Sequence, residues 1–297
     1  MLEPLVAITP AKINLGLEIT GRRPDGFHEV VTILQAISLF DRVVYQPSST
    51  AFRYLSPPGI TPVTDLARRA LATSTHVKNA TGVLTLEKGI PAAAGLGGGS
   101  SDAAAALCIG HGNVSNDRLV DIAASLGSDV PFFLRGGTAL ATGTGSTLRQ
   151  LATPDVWVVL VTPRLLIPSK TRTLYSALGP ADFTNGETVR SAANMMSGSA
   201  VAKQPLHNAF MRPLMEFSGV RAAIEALRQA GAPWVSVSGA GPTHFTLVEH
   251  VADATSISKR VPNDAGTVRI ARSLTADIGA KGLHRIGHAI RTRPGSR

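Results

Sequence analysis

The segment from Pro91 to Leu107 has the clearest capacity for chemistry in this chain. Its glycine-rich part reads Gly95, Leu96, Gly97, Gly98, Gly99, Ser100 and Ser101 and runs into an alanine-rich stretch. Glycine lets backbone N–H groups approach a ligand closely, and a helix N-terminus adds unpaired N–H groups and a positive dipole end. Since either serine is a good N-cap, we expect the helix to begin near Ser100 or Ser101. The segment from Pro91 to Ser101 therefore predicts a phosphate-binding loop.

Two common phosphate loops do not fit these residues. A Walker A loop needs a lysine before the hydroxyl residue, and Gly99 stands there. A dinucleotide fingerprint needs a third glycine where Ser100 lies, and the possible acid, Asp121, follows a second helix rather than a strand. A flexible surface loop is disfavoured, because small residues abut the helix start without a proline or a charge.

Phosphoryl transfer also needs a cation at the transferred group and a residue that positions the nucleophile. Lys12 is the lone lysine among Ala11, Ile13 and Leu15, so it is either an exposed edge-strand residue or a buried cation with a partner. Asp129 precedes Val130-Pro131 and is either a helix N-cap or, if Ser128 serves as the cap, a free carboxylate. Asp102 is interpreted as a first-turn helix residue and Asp121 as a helix cap.

The arrangement of elements sets the frame for these groups. At 297 residues, 44% hydrophobic and 16% charged, the chain can form one large domain or two of about 150 residues. Alternating residues predict a strand over 4–20, interrupted by Pro10, and further strands over Val30–Leu39 and Val43–Tyr45. Prolines predict a loop over 46–62. The mixed order of strands and helices predicts an α+β fold, with domains at 1–153 and 154–297.

Composition excludes several classes. No apolar run approaches the roughly 20 residues of a membrane helix, and the N-terminal residues lack a secretory pattern, so we expect a cytoplasmic protein without a membrane partner. Cys108 is alone, and the eight histidines show no metal-ligand spacing. Net charge is +9, with a basic excess over residues 259–297. That segment lacks aromatic residues for stacking, so we expect a solvated tail and no nucleic-acid binding.

Three separated segments resemble the motifs of the GHMP kinases, namely Pro10–Leu15, Pro91–Ala104 and the second glycine-rich turn Ser238–Pro242. Residues 21–28, Gly-Arg-Arg-Pro-Asp-Gly-Phe-His, resemble the signature of those members that phosphorylate 4-diphosphocytidyl-2-C-methyl-D-erythritol in the non-mevalonate isoprenoid pathway. Residues 126–133 resemble the family's Gly-Ala-Asp-Val-Pro segment. The resemblance implies a two-domain fold, with a ribosomal-protein-S5-like N-terminal domain and a smaller ferredoxin-like C-terminal domain.

The same resemblance implies transfer of the ATP γ-phosphate to the 2-hydroxyl of that substrate. Asp129 matches the catalytic aspartate that accepts the hydroxyl proton, and Lys12 matches the lysine that keeps this carboxylate ionised. The loop from Gly95 to Ser101 would hold the ATP phosphates, and Ser101 is the candidate hydroxyl for Mg²⁺. No protein cluster is expected to bind a metal.

Further residues are expected on the substrate side by resemblance. They are Asn14 beside the substrate, His28 at the cytosine edge with Phe27 stacked on the ring, the later pair Thr171 and Tyr175, and the turn glycines Gly239 and Gly241. Phe27 replaces the family's usual tyrosine, so stacking survives but a hydroxyl hydrogen bond does not. Residues 46–66 fit the family poorly and leave the adenine contacts unassigned.

Two alternatives stay open at this point. Another GHMP kinase, acting on homoserine or a mevalonate derivative, would share the loop, although the Asp25–His28 segment speaks against it. A non-catalytic nucleotide-binding protein would share the fold but would be expected to lose Lys12 or Asp129. The expected partner is a small-molecule substrate, and the chain is expected to be a monomer or a homodimer.

Overall fold

The computed structural model describes residues 3–61, 64–111, 116–196, 204–277 and 280–292. The strands in these ranges are β1 (Leu5–Arg22), β2 (His28–Ala51), β3 (Arg53–Leu55), β4 (Thr81–Glu87), β5 (Thr138–Thr142), β6 (Thr147–Leu151), β7 (Trp157–Thr162), β8 (Ser236–Val237), β9 (His244–Val248) and β10 (Thr267–Arg272). The helices are α1 (Leu66–Ala72), α2 (Thr75–Lys78), α3 (Gly98–His111), α4 (Asn116–Leu126), α5 (Val130–Phe133), α6 (Lys170–Ser176), α7 (Glu187–Met195), α8 (Met211–Leu214), α9 (Ser218–Gln229), α10 (Val251–Arg260) and α11 (Ala280–Thr292).

Two sheets organise the described residues. The first has six strands: β1 pairs with β2, which continues a path in the order β3-β4-β2-β5-β6. The second has four antiparallel strands in the order β10-β7-β9-β8. The boundary predicted at 153/154 falls between β6 and β7, which belong to different sheets. One hydrophobic cluster joins residues of both sheets, including Ile13, Ile33 and Leu160.

The region predicted as a loop over 46–62 is partly strand, which corrects that expectation. β2 runs without interruption from His28 to Ala51, and β3 follows at Arg53. The pairing of β2 with β4 skips from Gln46 to Ala51. Pro47 therefore lies in an irregular stretch, where the missing N–H of proline breaks no hydrogen bond of the ladder. β1 likewise continues through Pro10, beside which the register with β2 shifts.

Helix α3 begins at Gly98, two residues before the first expected N-cap. The N–H of Ser101 donates to the carbonyl of Gly97 at 2.9 Å, so both serines lie in the first turn and neither is the cap. The alanines of α3 are buried, because a helix with small side chains can lie close to its neighbours. This packing fixes the direction in which the helix N-terminus points.

The basic C-terminal segment is not a solvated tail over its described part. Helix α11 packs against α3 and β1, and Leu283, Ile286 and Ile290 are buried in the core of the N-terminal half. The apolar residues recur at helical spacing, and one face packs inward while charges occupy the other. The expectation of a solvated tail rested on the number of basic residues and did not consider these apolar positions. Among the described residues, no helix combines the length and the apolar character needed to cross a membrane.

Candidate active site

A cleft of about 300 Å³ lies where the two halves of the chain meet. Its walls come from β1, β2, the glycine loop before α3, the turn before α5, the start of α6 and the glycine turn between β8 and β9. The charged side chains among its described lining residues are those of Lys12, Asp129 and Lys170. The cleft therefore has one more positive charge than negative, which suits an anionic occupant.

Lys12 and Asp129, which are 117 positions apart in the chain, meet in this cleft. The Lys12 ammonium lies 3.3 Å from the Asp129 carboxylate. The Lys12 side chain is 5% exposed, whereas that of Asp129 is 33% exposed and so remains accessible. Asp129 precedes α5 but makes no side-chain capping bond, so its carboxylate is not used to cap the helix. Of the alternatives left open for these residues, Lys12 is therefore a buried lysine with a partner, and Asp129 has a carboxylate that does not cap the helix.

A chain of buried hydrogen bonds holds the lysine in place. The Lys12 ammonium donates to Oδ1 of Asn14 at 2.6 Å, and Nδ2 of Asn14 donates to the Thr32 hydroxyl at 2.8 Å. That hydroxyl donates to the carbonyl of Gly16 at 2.6 Å. Lys12 and Asn14 share one face of β1, because side chains two residues apart point the same way along a strand. The network ties the ammonium to the sheet, which limits its movement relative to Asp129.

The glycine loop directs its carbonyls into the protein. The carbonyl of Ala94 accepts from the N–H of Thr243 at 3.2 Å, and that of Gly95 accepts from the Ser238 hydroxyl at 2.9 Å. The carbonyl of Leu96 accepts from the N–H of Lys12 at 2.9 Å. Within the described residues, no hydrogen bond uses the N–H groups of residues 95–100. These donors stand at the N-terminus of α3 and match what a phosphate group accepts.

The glycine turn lies against the loop. A Cβ on Gly95, whose φ is +83°, would collide with the carbonyl oxygen of Ser238 and lie 2.8 Å from that of Gly241. Asn208 holds this turn from the other side, because its Nδ2 donates to the carbonyls of Val237 at 2.9 Å and Gly239 at 3.2 Å. Glycine at position 95 is thus required by backbone contact between the two halves.

An aromatic row leads from the cleft toward the signature segment. The Phe210 ring lines the cleft and lies 4.8 Å from the Tyr175 ring, which lies 4.9 Å from the His28 ring. Burial and the nearby Arg22 lower the pKa of His28, so its imidazole is neutral at pH 7. Burial raises the pKa of Tyr175 to about 12, so its hydroxyl stays protonated. Phe27 is 62% exposed, a large apolar side chain left open to solvent.

A buried carboxylate pair supports the loop from below. Asp41 accepts from the N–H groups of Gly89 at 2.7 Å and Ile90 at 2.9 Å, and it pairs with Lys88. Lys88 also donates to Asp102 at 2.6 Å. Burial, opposed by Lys88 and reinforced by Asp41, raises the pKa of Asp102 to about 7. This cluster anchors the residues that lead into the loop.

Comparison with known proteins identifies the family. The family models for the N-terminal and C-terminal domains of GHMP kinases match residues 63–137 and 189–267. A 4-diphosphocytidyl-2-C-methyl-D-erythritol kinase of Dehalococcoides mccartyi is 39% identical over 257 residues, which cover 82% of this chain and 89% of that protein. One from Thermus thermophilus is 37% identical and covers 82% and 87%. The chain belongs to this family of GHMP kinases. The family, enzyme class and fold class expected from the sequence are confirmed.

Solved structures agree with this assignment. A crystal structure of a 4-(cytidine 5'-diphospho)-2C-methyl-D-erythritol kinase matches with a TM-score of 0.73 and 33% identity, covering 91% of this chain and 99% of that one. A homoserine kinase from Cytophaga hutchinsonii matches with a TM-score of 0.61 and 16% identity, covering 94% and 97%. The second likeness shows the shared GHMP kinase fold alone.

The cleft of this GHMP kinase gathers about half of the residues singled out from its sequence. Those that line it are Lys12, Asn14, Gly95, Gly97, Ser100, Asp129, Thr171, Tyr175 and Gly239. Pro91, Leu96, Gly98, Gly99, Ser101, Phe27, His28 and Gly241 lie outside its lining. Leu96 is buried, and the carbonyl of Gly241 points to Lys170. The functional roles of both groups stay predictions.

Ser101, the hydroxyl expected to serve Mg²⁺, is not among the residues that line the cleft. Its side chain is 1% exposed, and its hydroxyl is buried without a hydrogen-bond partner, whereas Ser100 lines the cleft. A helix rotates successive residues by about 100°, so adjacent serines in the first turn cannot both face the same cleft. The serine of the loop that lines the cleft is therefore Ser100, and a metal role for either serine stays a prediction. In the described part of the chain, no cluster of three acidic, His or Cys side chains could hold a metal ion.

Several residues that line the cleft were not predicted from the sequence, notably Thr32, Lys170 and Phe210. Thr32 and Phe210 carried no local signal, because a threonine in a strand and a phenylalanine near a helix are ordinary core residues. Lys170 carried one. A lysine as the first residue of a helix opposes the helix dipole and needs compensation from elsewhere.

Proposed function

We propose that this chain transfers the γ-phosphoryl group of ATP to the 2-hydroxyl of 4-diphosphocytidyl-2-C-methyl-D-erythritol. The observation that carries the proposal is the Lys12–Asp129 pair, 3.3 Å apart in one cleft with the free N–H groups of residues 95–100 at the start of α3. A phosphoryl-transfer site needs both a group that positions the nucleophile and donors that stabilise the transferred charge. Relatives at 34–39% identity are kinases named for this substrate, which supports its choice here.

Asp129 accepts the proton of the acceptor hydroxyl in this proposal. Its carboxylate is accessible and makes no capping bond, so it is free to bind a hydroxyl. Lys12 pairs with that carboxylate and places a positive charge where negative charge develops on the reacting oxygens. Asn14 and Thr32 act through Lys12 by fixing the direction of its ammonium.

The N-terminus of α3 receives the phosphates of ATP. The N–H groups of residues 95–100 have no partner in the described chain, and Gly97 keeps the loop close to Lys12 because a Cβ there would lie 2.8 Å from its Cγ. Mg²⁺, when bound with the nucleotide, neutralises phosphate charge. It would be held mainly by the nucleotide phosphates and by waters, and Ser100 is the serine of the loop whose side chain would be available to it on the cleft lining.

The acceptor side favours a nucleotide-containing substrate. His28 packs against Tyr175, which lines the cleft, and the next ring along the chain, Phe27, is exposed; aromatic side chains of this kind suit a cytosine ring better than the small aliphatic body of homoserine or mevalonate. A cytoplasmic location, the absence of nucleic-acid and membrane partners, and a monomer or homodimer remain part of this proposal.

An ADP-release assay with a panel of alcohols tests the proposed activity. The panel contains the cytidine-diphosphate substrate, homoserine, mevalonate and mevalonate phosphate, each with ATP and Mg²⁺. We expect ADP release with the cytidine compound, at a kcat/KM in the usual enzymatic range of about 10⁴ M⁻¹ s⁻¹ or more. Preference for another alcohol would reject the substrate, and release with none would reject the activity.

Asp129→Asn tests the proposed base. We expect kcat to fall by about a hundredfold to ten-thousandfold, because the amide cannot accept the hydroxyl proton. ATP affinity, measured by calorimetry, should change by less than about threefold, since helix N–H groups supply that binding. Asp121→Asn on the exposed face of α4 is the control and should keep full turnover. Near-normal kcat in Asp129→Asn would remove Asp129 from the mechanism.

A further inference from the structure

Lys170 joins the two glycine-rich segments at one edge of the cleft. Its ammonium donates to the carbonyl of Ala93 at 2.7 Å and to the carbonyl of Gly241. The Gly241 carbonyl oxygen also lies 2.8 Å from where a Cβ on Gly95 would stand. The ammonium therefore lies at the Gly95 end of the loop, while Lys12 lies beneath its Gly97 end. Two cations flank the part of the loop whose N–H groups are free.

The two cations differ in whether a nearby carboxylate balances their charge. Lys12 has the Asp129 carboxylate at 3.3 Å. Within the described residues, Lys170 has no carboxylate partner, and its two acceptors are neutral carbonyls. An ammonium has three N–H donors, so one remains for another acceptor. Lys170 is also the first residue of α6, where the helix dipole disfavours a cation.

Backbone strain on both sides shows that this placement is enforced. Ala93, whose carbonyl accepts from Lys170, has φ +53°, and Ser169, which precedes Lys170, has φ +48°. Residues other than glycine adopt such angles at an energetic cost that the surrounding structure must offset. One strained residue supplies a carbonyl to the ammonium and the other sets the backbone direction just before Lys170, so the fold holds Lys170 in the cleft.

We propose that Lys170 binds a phosphate oxygen in the cleft and is a second cationic ligand for the reacting anions beside Lys12. The inference rests on the proposed function, whose reactants bring two anionic groups to this site. One is the terminal phosphoryl group of ATP, and the other is the diphosphate of the acceptor. Both present the same chemistry to an ammonium, so the experiment must separate them.

The electrostatic surroundings agree with this role. Burial, together with the Lys12 ammonium, lowers the pKa of Lys170 to about 8. The other charged and titratable groups facing this region are Asp129 from the turn before α5, Tyr175 from α6 and Arg164 from the segment after β7. A bound phosphate favours the charged ammonium and raises its pKa. Binding should therefore weaken as pH rises through about 8, where the free enzyme loses this charge.

Three substitutions separate the effect of the Lys170 charge from the effect of its hydrogen bonds to the two carbonyls. Lys170→Gln keeps N–H donors for the two carbonyls but removes the charge, Lys170→Met removes both, and Lys170→Arg keeps the charge. Arg172→Met, on the exposed face of the same helix, is the matched control for loss of a cation outside the cleft. Calorimetry of each variant uses three probes: the non-hydrolysable ATP analogue adenylyl imidodiphosphate, ADP and CDP.

We expect Lys170→Gln and Lys170→Met to weaken one probe by about tenfold or more, as loss of a hydrogen bond to a charged group does. Weaker binding of the ATP analogue alone assigns Lys170 to the terminal phosphoryl group, and weaker binding of CDP assigns it to the acceptor diphosphate. Lys170→Arg should stay within about threefold and lose the alkaline decline near pH 8. Arg172→Met should match the wild type.

Wild-type affinity for all three probes in Lys170→Gln would overturn the inference and leave Lys170 as a support for the loop. Circular dichroism and thermal melts establish that the variants fold. If Lys170→Gln does not fold, the wild-type pH titration decides, because affinity for every probe that stays level between pH 7 and pH 9 contradicts the inference. Turnover by the wild type in the alcohol panel keeps failure of this inference distinct from failure of the proposed function.

Discussion

The two glycine-rich segments of this enzyme are alike in composition and differ in how their backbone groups are used. The loop before α3 directs its carbonyls into the protein and leaves the N–H groups of residues 95–100 free. The turn from Ser238 to Pro242 directs its carbonyls at partners, because Gly239 accepts from Asn208 and Gly241 accepts from Lys170. The loop thus offers a run of unbonded N–H groups to a ligand, whereas carbonyls of the turn bind Asn208 and Lys170 and so hold the turn in place.

The difference follows from what comes after each segment. The loop runs into α3, a helix of 14 residues whose first N–H groups have no partner inside the helix. The turn runs into β9, whose N–H groups enter a strand ladder. Glycine therefore has two roles in one site. In the loop it brings donors to a ligand, and in the turn it lets two backbones touch.

The largest expected effect comes from separating the two segments. Gly95→Ala places a Cβ against the carbonyls of Ser238 and Gly241 at a φ of +83°. We expect kcat/KM to fall by about a hundredfold, since a shift of about 1 Å in a catalytic site has that effect. We also expect unfolding free energy to fall by about 2 kcal/mol or more, measured by denaturant titration.

Gly219→Ala is the matched control for this change. Gly219 lies in the first turn of α9, and a Cβ there would meet no atom within 4 Å. Alanine favours a helix over glycine by up to about 1 kcal/mol, so stability should hold or rise slightly. Equal behaviour of the two variants would mean that contact between loop and turn is not needed.

An effect on stability, without the hundredfold loss of kcat/KM, is expected from loosening the turn alone. Asn208→Ala leaves the carbonyls of Val237 and Gly239, and the N–H of Phe210, without their buried partner. Each buried unsatisfied group costs about 1–3 kcal/mol, and partial relaxation leaves an expected loss of about 2–4 kcal/mol in unfolding free energy. Urea titration measures it. Asn194→Ala, which removes an exposed bond to Arg149, is the control and should change stability by less than about 0.5 kcal/mol.

The smallest effects test the two serines of the loop. Ser100→Ala removes the hydroxyl that lines the cleft, and we expect nucleotide affinity to fall by about three- to tenfold with one lost hydrogen bond. Ser101→Ala removes a buried hydroxyl without a partner, so affinity should hold and stability should stay level or increase. Calorimetry with the ATP analogue and a thermal melt give both numbers. If Ser101→Ala weakened nucleotide binding and Ser100→Ala did not, the functional hydroxyl would be that of Ser101.

Local sequence carried much of the fold. Alternation predicted β1, the glycine and serine run predicted a helix N-terminus, and the order of motifs predicted the GHMP kinase family, which the relatives confirm. Two local errors have physical causes. The prolines over 46–62 predict a loop, although an irregular register accommodates Pro47 within β2, and the basic net charge gives no sign of the buried face of α11.

What the sequence determined by itself is the set of groups whose chemistry needs only neighbours along the chain: glycine before a helix, a lysine in a strand and an acid before a short helix. Only the tertiary structure decided which of these groups meet. It brought Lys12 to 3.3 Å from Asp129, turned Ser100 rather than Ser101 to the cleft, and placed Lys170 across the two glycine segments. The reason is physical, because distance and direction between remote residues depend on packing of sheets and helices, which no local pattern encodes.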